Sequence, residues 1–265
     1  MSQTFAPSTP PLSGAQAASP LVSVEGVTLQ YKTPDHLVTA TYRVSFDIHS
    51  QERVVLLGPS GCGKSTILKA IAGFMPPVEG RVTLKGSVIA GPGPDRMMVF
   101  QEFDQLLPWK TVQANVAYPM LVNGVSRDEA AHRAADALTK VNLAKFMDAY
   151  PHMLSGGMKQ RVAIARGMAM EPDILLMDEP FAALDSLTRL QMQDELMALW
   201  QDTKFTVMFV THSISEAVKI GSRILLMSPH PGRIRAELND LSGDRKELED
   251  QIYTLLFGHR PKEVA

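Results

Sequence analysis

The sequence predicts an α/β fold whose central sheet is parallel and buried on both faces. The prediction rests on three short apolar runs, VVLLG at 54–58, ILLMDEP at 174–180 and TVMFVTH at 206–212. Strands buried on both faces of a parallel sheet have such unbroken runs, whereas half-buried strands alternate apolar and polar residues. Helix signals lie between these runs, and that alternation is typical of α/β proteins.

Further strands are predicted outside the three apolar runs. Residues 21–31, 42–48 and 81–90 alternate apolar and polar side chains, which indicates strands with one buried face. Residues 223–228, RILLMS, are a further strand candidate.

Two helices are predicted to begin at capping boxes of the S-x-x-E type. Ser126 with Glu129 opens one, and Ser213 with Glu216 opens the other, which ends at Gly221. In a capping box the serine accepts from the backbone N–H three residues on, and the glutamate side chain reaches back to the serine N–H.

Other helices are predicted over residues 65–72 and 188–201 and around LEDQIYTLLFG near the end of the chain. Gly73 follows the first of them as a C-terminal glycine. Residues 104–170 have no clear strand signals, so we expect a mostly helical insertion into the α/β core.

The composition is that of an ordinary globular protein, with 45% hydrophobic and 20% charged residues among 265. The net charge of -2 gives no electrostatic case for a nucleic-acid partner. The first 20 residues are rich in Pro, Ser, Ala and Gln, which predicts a disordered tail rather than a secretory signal. No apolar run approaches the roughly 20 residues that span a bilayer, so any membrane-spanning part is expected from another chain.

A glycine-rich loop, GPSGCGKST, follows the first apolar run and opens a predicted helix. It fits the pattern G-x-x-x-x-G-K-[ST], in which backbone N–H groups and the helix N-terminus surround phosphate oxygens. Lys64 would reach the β- and γ-phosphates of ATP, and the Ser65 hydroxyl would bind Mg²⁺. The predicted ATP-binding residues of this loop are Gly58, Pro59, Ser60, Gly61, Cys62, Gly63, Lys64, Ser65 and Thr66.

The run ILLMDEP places two carboxylates at the C-terminal edge of a buried strand, where α/β proteins bind ligands. Asp178 would hold Mg²⁺ through water. Glu179 would act as a general base on the attacking water, an effect worth about 10²–10⁴-fold. A solvated turn at a strand end is the alternative for an Asp-Glu pair considered alone.

The segment LSGGMKQR at 154–161 decides between families. With the glycine-rich loop and the Asp-Glu strand, it resembles the ATP-binding-cassette (ABC) ATPases over roughly residues 21–235. The family's usual core is LSGGQ, and Met158 stands in place of that glutamine, which leaves its contact open. The resemblance implies that Ser155 and Gly157, with Gly156 in the same turn, bind the γ-phosphate of ATP held by a second copy.

The resemblance also implies roles for four single residues. Gln101 would be the Q-loop glutamine that contacts Mg²⁺ and water, and Asp185 the D-loop aspartate at the dimer interface. His212 would be the switch histidine on the γ-phosphate, and Tyr31 the aromatic that stacks on adenine. A structural histidine and an ordinary strand-end aromatic are the alternatives. The predicted catalytic residues are thus Lys64, Gln101, Glu179 and His212, and the predicted metal ligands Ser65, Gln101 and Asp178.

The implied fold is a P-loop NTPase of the ABC ATPase type, with a RecA-like core sheet, an antiparallel β subdomain and a helical subdomain. The corresponding division of the chain is a tail at 1–20, an ABC ATPase domain at 21–240 and a C-terminal helix and tail at 241–265. The helical subdomain would occupy about residues 104–170 within the domain.

An importer subunit is the expected class within the family. Lys64 and Ser155 are 91 residues apart (155 − 64), too few for the coiled coil of repair members. A single cassette without membrane helices argues against ribosome-acting and fused export members. A soluble ATP-switched regulator and an export ATPase with separate membrane chains remain the alternatives.

Several stretches are similar to ATPases of the nitrate, sulfonate and taurine importer family, among them GPGPDRMMVFQ, LLPW and THSISEAVKIGSRILLMSPHPGRI. The resemblance implies uptake of a small anion through an integral membrane permease, with a periplasmic or lipid-anchored solute-binding protein as an indirect partner. Two copies would close head-to-tail around two ATP molecules. The subunit would lie peripherally on the cytoplasmic face of the inner (plasma) membrane.

Two local expectations concern single side chains. Cys62, the only cysteine, lies inside the phosphate loop, where the helix dipole and Lys64 would depress its pKa and MgATP would shield it from thiol reagents. Leu106, Leu107, Pro108 and Trp109 form an apolar cluster after Gln101 that would face the permease. The alternative is that Leu106 and Trp109 fill the core of the helical subdomain.

Overall fold

The computed structural model describes residues 19–32, 36–101 and 105–258. The predicted tail at 1–20 lies outside the described residues apart from 19 and 20, and the charged end after residue 258 lies outside them as well.

Strands and helices alternate along the described part of the chain. The strands are β1 (Val22–Lys32), β2 (Leu37–Ile48), β3 (Arg53–Leu57), β4 (Glu79–Leu84), β5 (Ser87–Val88), β6 (Arg96–Val99), β7 (Ile174–Asp178), β8 (Val207–Thr211), β9 (Arg223–Met227) and β10 (Ile234–Leu238). The helices are α1 (Lys64–Ile71), α2 (Val112–Val122), α3 (Arg127–Lys140), α4 (Gly156–Ala169), α5 (Ser186–Thr203), α6 (Ile214–Ile220) and α7 (Arg245–Phe257).

The core sheet has six strands in the order β10-β9-β3-β8-β7-β6. All neighbours are parallel except β10, which pairs antiparallel with β9 at one edge. Along β3, Val55 and Leu57 pack in one apolar cluster, while Val54 and Leu56 pack in the other. The sheet is therefore buried on both faces, which confirms the prediction from the unbroken apolar runs.

A second sheet is antiparallel, with four strands in the order β2-β1-β4-β5. The prediction of one strand over residues 81–90 is wrong, because the chain reverses between β4 and β5. Lys85 and Gly86 both have positive φ angles, of 49° and 78°, as a two-residue hairpin turn requires. An apolar cluster between the two sheets encloses α1.

Two strands of the core sheet were not predicted from the sequence. The strand β6 has only four residues and follows a Gly- and Pro-rich segment, so its apolar run is too short to stand out. The strand β10 pairs along one side only and has a mixed burial pattern, as edge strands do.

The helices α2, α3 and α4 lie between β6 and β7 in the chain and pack against one another. Ser126 caps α3 by accepting from Glu129 N (3.3 Å), and Ser213 caps α6 by accepting from Glu216 N (3.3 Å). The second half of the capping box predicted at Ser213 is wrong, because the Glu216 carboxylate turns into the interior instead. The helix α7 packs on α6.

Candidate functional site

The glycine-rich loop connects β3 to α1, so the first turn of α1 faces the space above the carboxyl edge of the core sheet. Gly63 is the N-cap of α1 and has a φ of 96°. A Cβ atom at this position would lie 2.6 Å from Thr41 Cγ2 and 2.8 Å from the Ala40 carbonyl oxygen. Only glycine therefore lets the loop lie this close to β2.

Lys64 is almost fully buried, with 4% of its side chain exposed. Its ammonium group donates to the carbonyl oxygens of Gly58 and Pro59, both at 2.9 Å. The same nitrogen lies 3.7 Å from Glu179 Oε1. The positive charge is thus held at the mouth of the loop by three oxygen atoms.

Asp178 ends β7 and lies next to the first turn of α1. Ser65 Oγ donates to Asp178 Oδ1 at 2.7 Å. Burial raises the pKa of the Asp178 carboxyl above its ordinary value, and the hydrogen bond from Ser65 acts in the opposite direction. A hydroxyl and a carboxylate oxygen in contact are the kind of donor set that Mg²⁺ prefers.

Glu179 has a strained backbone, with a φ of 44° in the left-handed region. Its N–H donates to the Val210 carbonyl at 3.0 Å, which fixes the turn against β8. The carboxylate is 15% exposed and lies between two cationic or potentially cationic groups. Its Oε2 is 2.9 Å from His212 Nδ1, while Oε1 faces Lys64.

An open cleft lies over the loop and collects side chains from distant parts of the sequence. Of the residues predicted to bind nucleotide, Tyr31 lies at the end of β1 with 47% of its surface exposed, and Gln101 is exposed beyond β6. The cleft is lined by Tyr31, Ala40, Ser60, Gly61, Gly63, Lys64, Ser65, Thr66, Gln101, Glu179 and His230.

His230 lines the cleft although the sequence does not predict it as a site residue. It belongs to the turn between β9 and β10, and a Cβ on Gly61 would lie 3.6 Å from its Nε2. The turn is held to β2 by hydrogen bonds from Gly232 N to Ala40 O and from Tyr42 N to Gly232 O, both 2.9 Å. No local pattern distinguishes His230, because its position depends on this packing.

The residues predicted to act on a second copy's ATP do not line the cleft. Ser155 is exposed at the start of α4 and accepts from Met158 N at 3.3 Å. Gly157 is buried, and a Cβ there would lie 3.0 Å from Thr188 Cγ2 of α5. Asp185 caps α5 by accepting from Thr188 N at 3.0 Å.

The expectation that the pKa of Cys62 is depressed is wrong. Its thiol is completely buried among apolar side chains between the two sheets, so it points away from the cleft. Burial raises the pKa of the thiol, and this effect outweighs the nearby charge of Lys64, which lowers it. The residue therefore contributes its backbone to the loop, not a reactive thiolate.

The apolar segment after Gln101 divides into a buried part and an exposed part. Leu106 is 5% exposed and packs in the core with α2 and α4, whereas Trp109 is 71% exposed. Filling the core is thus the correct interpretation for Leu106 only. Residues 102–104 lie outside the described part of the chain.

Comparisons with known proteins agree with this geometry. A family model described as ABC transporter matches residues 41–182. The chain is 55% identical over 202 residues to the taurine import ATP-binding protein TauB of Rhizobium johnstonii, covering 76% of this chain and 77% of that one. It is 45% identical over 214 residues to an uncharacterized ABC transporter ATP-binding protein of Methanocaldococcus jannaschii, covering 81% and 80%.

A solved structure has the same fold. It is a dimeric post-hydrolysis state of an ATP-binding cassette bound to ADP and Pi, with a TM-score of 0.72 and 34% identity. The match covers 84% of this chain and 99% of that one.

The fold, the phosphate loop and the Asp178–Glu179 edge together define a P-loop ATPase of the cassette type. The chain belongs to the ABC transporter family. It binds ATP, and its hydrolysis of ATP is coupled to transport. Among the described residues, no helix has both the length and the apolar character to cross a membrane.

Proposed function

We propose that this chain is the ATP-hydrolysing subunit of an importer for small sulfonates of the taurine class. The observation that carries the chemistry is the contact of Glu179 with both Lys64 and His212 at the mouth of the phosphate loop. The solute class is supported by the relatives named as taurine import proteins, at 55% and 48% identity.

The residues in and beside the cleft divide the steps of phosphoryl transfer among them. Lys64 holds the β- and γ-phosphates, Glu179 accepts a proton from the attacking water, and His212 both orients Glu179 and binds the γ-phosphate. The Ser65 hydroxyl, the Asp178 carboxylate and Gln101 would hold Mg²⁺, which supplies charge neutralisation on the phosphate oxygens when it is bound. Tyr31 stacks on the adenine.

The site is completed by a second copy of the chain. Ser155 and Asp185 lie away from the cleft at the starts of two helices, where they can meet another subunit. Leu187, two residues after Asp185, is 76% exposed and would make an apolar contact with the second subunit. Each subunit then supplies the loop for one ATP and the Ser155–Gly157 turn for the other.

The partners follow from the same proposal. The domain at 21–240, with its helical subdomain at about 104–170, docks on an integral membrane permease through the surface that carries Trp109. A solute-binding protein delivers the solute to the permease from the other side. The chain is then peripheral on the cytoplasmic face of the inner membrane.

The first test is the variant Glu179→Gln. It should bind ATP with an affinity close to that of the wild type, lose turnover by at least about 100-fold and accumulate as a dimer with ATP. Glu247→Gln, an exposed change on α7, is the matched control and should keep full turnover. Wild-type turnover in Glu179→Gln would contradict the assignment of the base.

The second test concerns the transport function. The chain should be retained with an integral membrane protein on purification from detergent-solubilised membranes. When it is reconstituted with its permease and binding protein, taurine should stimulate ATP hydrolysis, and nitrate serves as the competing anion. Stimulation by nitrate alone would overturn the solute class, and the absence of any membrane partner would favour a soluble regulator.

A further inference from the structure

A cluster of buried polar side chains lies beside His212 without lining the nucleotide cleft. Its members are Thr211, Gln193 and Glu216, with exposed fractions of 1%, 3% and 6%. Burying a carboxylate is strongly unfavourable unless hydrogen bonds compensate for the lost water. The Glu216 carboxylate therefore needs hydrogen-bond donors from the other members of the cluster.

Both oxygen atoms of Glu216 have a donor. Thr211 Oγ1 donates to Glu216 Oε2 at 2.5 Å, and Gln193 Nε2 donates to Glu216 Oε1 at 3.1 Å. Thr211 Oγ1 in turn accepts from Ser213 N at 3.0 Å. The hydroxyl of Thr211 thus connects the carboxylate to the backbone on the far side of His212.

His212 is held between these contacts. Ser213 Oγ accepts from Glu216 N at 3.3 Å, so the residues on both sides of His212 are tied to Glu216. The histidine side chain itself is 54% exposed and has one contact within the described residues, that with Glu179 at 2.9 Å. Its position is therefore set by the backbone that Glu216 fixes.

The cluster also reaches the helix that begins at the proposed dimer interface. Gln193 lies on α5, eight residues (193 − 185) after Asp185, which is about two helical turns. Near its start, Thr188 packs against Gly157 of the Ser155–Gly157 turn. One rigid helix thus connects the interface residues to the carboxylate that fixes the switch histidine.

We infer that Glu216 is a positioning residue for ATP hydrolysis. It keeps the His212 side chain in contact with Glu179 and links that position to α5 through Gln193. The inference rests on the proposed function, because it assigns a role within the same site. A second copy that contacts Asp185 would then influence the position of His212, because α5 and Gln193 connect Asp185 to Glu216. Glu216 itself is buried and does not line the nucleotide cleft, so its role would be exerted through His212.

The chemistry of the cluster predicts which substitutions preserve it. Glu216→Leu removes both acceptors and leaves the Thr211 hydroxyl and the Gln193 amide without their partner. Glu216→Gln keeps the shape, because its amide oxygen can accept from Thr211 while Gln193 turns its own oxygen toward the new amide group. The conservative variant should therefore rescue what the apolar variant loses.

The experiment compares steady-state ATP hydrolysis in these variants. Glu216→Leu should lower kcat by about tenfold or more and leave the KM for ATP within about twofold. The reason is that the lost hydrogen bonds of the carboxylate lie beside His212, outside the nucleotide cleft. Glu216→Gln should stay within about threefold of the wild type. A folded Glu216→Leu protein with the wild-type kcat would overturn the inference.

A second pair of variants is independent of whether Glu216→Leu folds. Thr211→Val removes only the connecting hydroxyl at the last residue of β8. Thr206→Val removes a buried hydroxyl on the residue just before β8, which accepts from Gln51 N at 3.0 Å. Both changes should lower the urea midpoint to a similar extent. Only Thr211→Val should lower kcat, and equal values of kcat in the two variants would contradict a positioning role.

A spectroscopic readout separates positioning from general destabilisation. The imidazole signals of His212, assigned by their loss in His212→Ala, should shift in Thr211→Val and remain in place in Thr206→Val. Wild-type ATPase activity and Glu179→Gln are measured alongside. If those two behave as proposed while Thr211→Val and Glu216→Leu equal the wild type, the positioning inference fails and the proposed function stands.

Discussion

At the scale of single residues, Glu179 combines a strained backbone with the position proposed for the catalytic base. A left-handed conformation costs a residue with a Cβ about 1–2 kcal/mol. The bond from Glu179 N to Val210 O and the turn bond from Ala182 N to Glu179 O hold the backbone there. With the backbone in this conformation, the carboxylate lies between Lys64 and His212.

Asp178 gives a prediction for the dependence of stability on pH. Because burial raises its pKa in the folded state, the protonated carboxyl is favoured by folding. This contribution to stability is fully present below the ordinary pKa of 3.8 and is lost as the pH rises through the raised value.

Asp178→Asn removes this dependence, because the amide stays neutral and can still accept from Ser65. Without nucleotide and Mg²⁺, the variant should be more stable than the wild type at about pH 8, and the difference should shrink toward about pH 4. Urea unfolding midpoints at the two pH values measure it. A gain that is equal at both would contradict the role of the buried charge.

Cys62 gives a prediction for thiol chemistry. Its complete burial and raised pKa mean that native protein should react slowly with a neutral-pH thiol reagent, at rates set by local opening. MgATP should then add protection only as far as it stabilises the fold. Labelling kinetics in native buffer and in urea test this, and rapid native labelling that MgATP abolishes would contradict it.

At the scale of elements, the junction of the phosphate loop with α1 gives the sharpest prediction. Gly63→Ala would combine a positive φ with a contact of 2.6 Å to Thr41 Cγ2, so the loop must move away from β2. Affinity for ATP should fall at least about tenfold, because the N–H groups that bind phosphate move with the loop.

Gly86→Ala is the matched control for that change. It also has a positive φ, of 78°, but its Cβ would meet nothing within 4 Å. It should therefore lower stability slightly and leave nucleotide affinity unchanged. Equilibrium titration with a fluorescent ATP analogue compares the two, and equal affinities would show that the close approach at Gly63 does not matter.

Most elements could be predicted because their signals are local. The apolar runs of β3, β7 and β8 and the serine caps of α3 and α6 are complete within a few consecutive residues. The Lys85–Gly86 turn was missed because the alternation of apolar residues continues across it. The strands β6 and β10 were missed because one is very short and the other owes its pairing to its neighbour β9.

The site residues also differ in whether a local motif or tertiary packing determines their position. Residues within continuous motifs, such as Lys64 and Glu179, could be located from the sequence. The direction of the Cys62 side chain and the place of His230 could not, because each depends on how the β9–β10 turn and β2 pack on the loop. The sequence predicts Glu216 only as part of a helix cap, because the burial of its carboxylate results from tertiary packing.

At the scale of the whole molecule, the separation of Ser155 and Asp185 from the cleft predicts a dependence on association. The monomer should bind ATP yet hydrolyse it slowly, so turnover per subunit should rise with protein concentration. Light scattering of Glu179→Gln with ATP should report a dimer, and Leu187→Asp in the same background should weaken it. Turnover that is independent of concentration down to a demonstrated monomer would contradict the shared site.

The two apolar clusters on either side of the core sheet have a consequence for how damage spreads. No residue in the described part of the chain belongs to both clusters, and the backbone of the core sheet lies between them. A void made around Leu138, in the helical half, leaves the side chains that surround α1 and Cys62 with all their neighbours. Because the sheet separates the two clusters, we expect the side that carries α2, α3 and α4 to repack around such a void while the packing around α1 keeps its shape.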